Sequence, residues 1–274
     1  MAATQEKKII RYMKWVTGDI DSVDGSLDMN TMSVNACSDT IKIAGVTISG
    51  RIPNIFTFKH YDKTYCTSEC SVCYAGKTLP VSLPTAYMTA EEIGEYISHG
   101  YDDLWINPED PGIVIKFDCT TGHTLITLDN TKVKAGYVGN IFIDFSISQL
   151  GELLGFSRET SKVEVGPYMK RTFRSPVPAR INWLGDTFDI IINGLPVDDI
   201  ECNKSCPTNL FGVITVIKSK LSDSVGHAHN FTHVINSSRS SSQLTFQFMS
   251  HAQPTLPLLL MNGHICVDLV VDRQ

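Results

Sequence analysis

The chain has 274 residues, 42% of them hydrophobic and 19% charged, which is ordinary for a globular protein with one large core or two modest ones. Its formal net charge of −6 argues against a protein that coats nucleic acid, since such proteins carry a basic surface. The N-terminus is charged where a signal peptide would be apolar, and no run reaches 18 apolar residues. We therefore expect neither an export signal nor a membrane span.

The first 35 residues are weakly patterned. An acidic, turn-rich stretch covers residues 19–30, and the run over residues 9–16 is the only strongly apolar part. We interpret 1–35 as an N-terminal arm or an irregular lead-in strand, and 36–274 as one β-sandwich domain. Arms of this kind commonly contact a neighbouring subunit.

The middle of the chain alternates strand-like runs with two short helices. The spacing predicts a β-ribbon over 40–49, a strand over 52–59 and a cysteine-rich loop over 60–78. Thr89 and Glu92 form a capping box for a helix over 89–99, and Gly100 ends it. A hairpin over 113–128 follows, then a strand over 141–145 and a short helix over 148–154.

The last third consists of short β-type runs separated by turn residues. These runs cover residues 187–192, 212–218, 231–235, 244–249 and 264–271. Such a series predicts an all-β protein, either a sandwich or a barrel, with one or two short helices in the connections.

One cluster has the composition of a metal site. His60, Cys66, Cys70 and Cys73 lie within 14 residues, and four such ligands are able to close a tetrahedral zinc site. The spacing differs from the usual paired CxxC pattern, so two alternatives stay open: a surface loop with free thiols, or a disulfide.

Catalytic signatures are absent from the sequence. His227, His229 and His233 have even spacings, so on a strand they would share one face and could bind a metal or sense pH. Gly226 and Asn230 are also typical of a loop, so three unrelated histidines in a polar connection stay an alternative. No nucleophile elbow, P-loop, dinucleotide fingerprint or zincin motif occurs. We therefore expect a protein that is not an enzyme and has no cofactor other than the possible zinc.

Several segments together resemble a viral family. They are MTAEEIGEYI (88–97), IVIKFDCTTGHTLITL (113–128), IFIDFSISQLGELLGF (141–156), LTFQFM (244–249) and PLLLMNGHICVDLVV (257–271). In this order they resemble the jelly-roll penton-type (minor capsid) proteins of polinton-like and adintovirus-like double-stranded DNA viruses. The most specific segment is Ile141–Phe156.

The resemblance implies a jelly-roll β-sandwich and a structural role in the virion. Five copies would form a homopentamer at each five-fold vertex of an icosahedral shell, beside a larger major capsid protein. Assembly would take place in the host cytoplasm or nucleus, without a specific nucleic acid. Two alternatives are a lectin-like or cytokine-like ligand-binding module and a metal-dependent enzyme using the histidine cluster.

Overall fold

The structure, a computed structural model, describes residues 7–28, 40–74, 76–135, 139–194, 197–198, 209–217, 225–230, 232–235 and 243–272. The first ten strands are β1 (Lys7–Val16), β2 (Asp21–Ser22), β3 (Gly25–Asp28), β4 (Thr40–Arg51), β5 (Thr57–His60), β6 (Lys63–Cys66), β7 (Glu69–Tyr74), β8 (Lys77–Ser82), β9 (Ile113–Asp118) and β10 (His123–Asp129). The others are β11 (Ile141–Asp144), β12 (Lys162–Val165), β13 (Lys170–Arg174), β14 (Thr187–Asn193), β15 (Val197–Asp198), β16 (Leu210–Ile217), β17 (Val225–Asn230), β18 (Thr232–Ile235), β19 (Gln243–Ser250) and β20 (Leu259–Asp272). The helices are α1 (Ala90–His99) and α2 (Leu150–Leu153), with 3₁₀ turns at Asp102–Leu104, Asn130–Lys132 and Arg158–Thr160.

The chain divides into two compact units. Unit 1 comprises Met1–Ile52 and Leu184–Gln274, and unit 2 comprises Pro53–Trp183. This differs from the expected division into 1–35 and 36–274, because unit 2 is inserted between β4 and β14 and because Lys7–Val16 forms a ten-residue strand of unit 1. Strand periodicity alone does not reveal which strands pair, so it leaves an insertion of this kind invisible.

Unit 1 is a jelly roll, as its strand order shows. Its eight principal strands pair antiparallel from the outside inwards: β1 with β20, β3 with β19, β4 with β18 and β14 with β16. The pairs β20–β4 and β14–β19 join these strands into two sheets, with orders β1-β20-β4-β18-β15 and β17-β16-β14-β19-β3, and the short strand β2 also pairs with β20. We call these the first sheet and the second sheet. Nested pairing that divides into two sheets is the jelly-roll arrangement, which confirms the expected fold class.

The core of unit 1 lies between these sheets. In β14 and β19 every second residue is buried, including Phe188, Ile190 and Phe246. Tyr12 from the first sheet stacks on Phe246 from the second with ring centroids 4.2 Å apart, so the two sheets face each other. Each large apolar side chain buried in this way contributes about 1.5–3 kcal/mol.

Unit 2 also consists mainly of strands. Its sheets have the orders β13-β10-β9 and β12-β11-β7-β8, and β5 and β6 form a separate hairpin. Helix α1 begins with the predicted capping box between Thr89 and Glu92. It packs on β9 so closely that a Cβ at Gly94 would lie 2.7 Å from Cβ of Ile115. The Glu91 carboxylate accepts a 2.7 Å hydrogen bond from the backbone N–H of Phe117 in β9. This edge of the three-stranded sheet is thereby covered by a helix, which prevents further strand pairing.

The segment 60–78 is not the loop that the sequence suggested. It contains β6, the whole of β7 and the start of β8, together with the last residue of β5. Tyr61, with φ of 53°, and Gly76, with φ of 77°, lie in the turns of the two hairpins. Cysteine pairs such as Cys70 and Cys73 suggested a ligand loop, but they belong to a buried strand instead.

Candidate functional site

Strand β1 presents apolar side chains on both of its faces. Ile10, Tyr12 and Val16 are buried in the jelly roll. The outward positions alternate with them, and Ile9, Met13 and Trp15 are 64%, 45% and 63% exposed. We call these three exposed side chains the outer stripe. β20 is the only strand that pairs with β1 within the described residues, so the stripe lies on an edge strand.

The neighbouring strand β20 continues this surface. The register places Ile9 opposite Val270, Met13 opposite Cys266 and Trp15 opposite His264. The rings of Trp15 and His264 lie 4.3 Å apart. Cross-strand pairs of this kind stabilise a sheet, so the outer stripe and the outward side chains of β20 form one continuous surface.

Charged groups on the same surface neutralise one another. Arg11 donates two hydrogen bonds to the Asp268 carboxylate, at 2.6 and 2.9 Å. The Arg11 guanidinium holds the pKa of the Asp268 carboxyl below its ordinary value, chiefly through this hydrogen bond. Asp272 lies 3.7 Å from Lys7 and 3.9 Å from Lys42. The outer surface is therefore almost neutral on a chain whose net charge is −6.

The four predicted zinc ligands do not form one cluster. His60 ends β5, and Cys66 lies opposite Thr57 at the other end of the same hairpin, roughly 10 Å away along the strand. Cys70 and Cys73 are three residues apart in β7, so their side chains point to opposite faces, and both are buried. Within the described ranges, no group of three or more His, Cys, Asp or Glu side chains is arranged to hold a metal ion. The zinc site stays a prediction without geometric support.

The histidine cluster is divided between two sheets. His227 and His229 belong to β17, where they are paired with Thr215 and Val213 of β16. His233 belongs to β18 and is paired with Ile41 of β4. The expectation that all three share one face assumed a single strand, whereas β17 and β18 belong to different sheets.

Sequence reasoning missed the outer stripe. Apolar residues stand at both odd and even positions of Lys7–Val16, which hides the alternation that marks a strand. The usable signal is that the apolar residues of both faces are interrupted by Arg11 and Lys14, because cations are common on edge strands.

The fold and this surface define the class: an all-β protein with a jelly roll whose edge strand exposes apolar side chains. Among the described residues, no helix has the length and apolar character that crossing a membrane requires. No family model matches the chain, and no curated protein is similar to it in sequence.

Solved structures of virophage proteins are similar to the chain. The mavirus penton protein aligns with a TM-score of 0.43 and 12% identity, over 97% of this chain and 99% of that one. A chain from the cryo-electron microscopy structure of the Sputnik virophage aligns with a TM-score of 0.38 and 10% identity, over 96% of this chain and 97% of that one.

Proposed function

We propose that this protein is a structural virion protein, a penton-type capsid subunit without enzymatic activity. Five copies would form a ring at each five-fold vertex of the icosahedral shell of a double-stranded DNA virus. The ring would contact a larger major capsid protein, and assembly would take place in the cytoplasm or nucleus of the host cell.

The jelly roll supports this role because its strands form most of their hydrogen bonds within one subunit. Eight strands in two facing sheets satisfy most of their backbone hydrogen bonds inside the subunit, which leaves few edges for uncontrolled pairing. The connection between β4 and β14 accommodates all of unit 2 while the eight principal strands still pair. A subunit of this kind keeps a constant core while its connections make different contacts.

The outer stripe is the observation that carries the proposal. Copies of a chain with net charge −6 repel each other in general, but the nearly neutral outer surface does not add to this repulsion. Since the three side chains are about half exposed, covering them would contribute about 2–5 kcal/mol. Association costs about 4–15 kcal/mol, so the stripe alone does not hold a ring together and further contacts must add to it.

A closed ring of five requires a heterologous contact, in which the stripe of one copy packs on a different surface of the next. Loss of the stripe is therefore expected to produce monomers and not dimers. Ile106 offers a matched control, because it is 63% exposed, as Trp15 is, but belongs to unit 2.

The test is the oligomeric state of three purified proteins, measured by mass photometry and by negative-stain electron microscopy. We expect rings of five for the wild type and for Ile106→Glu, and monomers for Trp15→Glu with an unchanged circular dichroism spectrum. A wild type that stays monomeric at high concentration, or a ring of another size, would overturn the pentamer. Rings of Trp15→Glu would show that the stripe is not the contact.

A further inference from the structure

Unit 2 contains an open cleft of about 430 Å³ between β12 and β13. Each of these strands is the edge of one of the sheets of unit 2. Phe156 and Phe173 supply apolar surface, and the backbone of β13 from Arg171 to Arg174 forms one wall. The volume lies in the range of about 300–1,000 Å³ that is usual for binding pockets.

The wall formed by β13 has free backbone groups. The N–H of Asn130 donates to the carbonyl of Met169, and the N–H of Ser175 donates to the carbonyl of Thr124, so residues 169 and 175 bond towards β10. Bonding alternates along an antiparallel pair, and the register is continuous from Lys170 to Arg174. The N–H and C=O groups of residues 172 and 174 therefore point away from β10. Within the part of the chain that the structure describes, they bond to no other strand.

Positive charge surrounds this free edge. Arg171 and Arg174 are both exposed and lie on opposite faces of β13, and Lys162 lies across the cleft on β12. The Arg171 guanidinium lies 4.9 Å from the centre of the Phe173 ring. Lys162 forms an ion pair with Glu164, which does not line the cleft. Glu159 is the one carboxylate among the lining residues. Neither arginine forms an ion pair with another described residue.

We propose that this cleft binds an extended acidic peptide segment of a partner protein, which adds to β13 as a further strand. A peptide backbone matches the alternating donors and acceptors of Thr172 and Arg174. The side chains of an added strand alternate between two faces, so neighbouring carboxylates would meet Arg171 on one face and Arg174 on the other. A single small anion does not contact both arginines, because they point in opposite directions. The proposal does not depend on the capsid role.

Thr172 allows a sharp test, since its N–H points into the cleft. Thr172→Pro removes this donor but none of the bonds to β10, and proline is tolerated on an edge strand in this orientation. Thr172→Val is the matched control, because both variants lose the 2.9 Å hydroxyl contact with Thr127 but only the proline variant loses the N–H. Circular dichroism and thermal melting establish that both variants are folded.

The probe is a fluorescein-labelled octapeptide with the sequence SEVEDVES, and its affinity for the full chain is measured by fluorescence anisotropy at low salt. We expect the Thr172→Val protein to bind as the wild type does and the Thr172→Pro protein to bind about tenfold more weakly. Arg171→Glu combined with Arg174→Glu should abolish binding, and a peptide with lysine in place of each acid should not bind.

Several results would overturn the proposal. They are no binding of the peptide to the wild type, equal binding to the two Thr172 variants, and undiminished binding of a peptide N-methylated at alternate amides. Competition by inorganic sulfate as strong as by unlabelled peptide would indicate an anion site instead. Association of the chain with itself that Thr172→Pro abolishes would assign the cleft to a second copy and not to a partner.

Discussion

The hydroxyl of Tyr12 donates a 2.8 Å hydrogen bond to the carbonyl oxygen of Val23, deep in unit 1. The same ring stacks on Phe246, so one side chain of β1 contacts the lead-in to β3 and the opposite sheet. Burial raises the pKa of the Tyr12 hydroxyl well above its ordinary value, which keeps it protonated as a donor.

Replacement of Tyr12 should separate the contribution of its hydrogen bond to stability from that of its stacked ring. Tyr12→Phe loses the hydrogen bond and should lower the free energy of unfolding by about 1 kcal/mol. Tyr12→Ala also loses the stacked ring and should lower it by about 3–5 kcal/mol. Urea denaturation followed by fluorescence measures both. Trp15→Ala, at an exposed position of the same strand, should change the value by no more than about 0.5 kcal/mol in the monomer. Equal losses for the two Tyr12 variants would contradict the role of the stacking.

The pair formed by Arg11 and Asp268 should make stability depend on pH. The folded-state pKa of Asp268 lies below its ordinary value of 3.8, so the pair stabilises the folded state above that value. The stabilisation is lost as pH falls through the lower, folded-state pKa. Arg11→Gln should therefore unfold more easily than the wild type at pH 7, and the difference should shrink below about pH 4.

Denaturant titrations of the two proteins between pH 7 and pH 3 measure this difference. Sodium chloride at 1 M should reduce it at pH 7, because Arg11 is exposed and salt screens the pair. Lys8→Gln serves as a control on the same strand, since Lys8 takes part in no ion pair with another described residue. A difference that stays constant down to pH 3 would contradict the assignment.

Local elements were predictable from the sequence because their signals are local. The capping box of Thr89 and Glu92, the hairpin of β9 and β10, and strands such as β19 and β20 all follow from contacts between near neighbours in the chain. The nested pairing of unit 1 was not predictable in this way. It joins residues as distant as Lys7 and Asp272, and no pattern within a short window records such a partner.

For the candidate sites too, the residue types were predictable from the sequence, whereas their positions relative to one another were not. The pattern from His60 to Cys73 contains suitable ligand types, but strands hold them apart, and only the register of β5, β6 and β7 reveals this. Lys170, Arg171 and Arg174 lie within five residues of one another, so their positive charge is a local feature of the sequence. Its relation to a cleft depends on β12, whose pairing with β11 leaves the facing edge open.

The last four residues of the segment Ile141–Phe156, with the sequence LLGF, form the C-terminal end of α2. Gly155 follows α2 with φ of +85°, its N–H donates to the carbonyl of Glu152, and the N–H of Phe156 donates to that of Gly151. These two bonds define a Schellman motif. A Cβ at Gly155 would lie 2.2 Å from the carbonyl oxygen of Val177, so glycine is required for space as well as for conformation.

Gly155→Ala should therefore destabilise unit 2 more than an alanine at another left-handed glycine. Gly122 is the matched control, because its φ is +73° but its Cβ would meet nothing closer than 3.5 Å. Gly122→Ala should lower the free energy of unfolding by about 1–2 kcal/mol, because alanine is strained at a positive φ. Gly155→Ala should cost about 1–3 kcal/mol more, because the chain must move around the new methyl group. Thermal and urea unfolding of the two variants measure the difference, and equal costs would show that the space at Gly155 does not matter.

Cys70 should be chemically inert in the folded protein. Burial, with a smaller effect from the charge of Asp144, raises the pKa of the Cys70 thiol to about 12. Alkylation requires the thiolate, so at pH 8 iodoacetamide should label the exposed Cys119 and leave Cys70 unmodified until the protein unfolds. Peptide mass spectrometry over time measures both rates, with urea-unfolded protein as the reference for full reactivity. Equal native rates would show that Cys70 is accessible.

The zinc prediction is tested by the positions of its four ligands. His60 and Cys66 lie at opposite ends of one hairpin, and Cys70 and Cys73 point to opposite faces of β7. We therefore expect that no zinc ion joins these four residues. Elemental analysis of protein purified without chelator should find no stoichiometric zinc. One equivalent of zinc that is lost in Cys70→Ser but kept in Cys119→Ser would instead establish the metal site and require β5, β6 and β7 to rearrange around it.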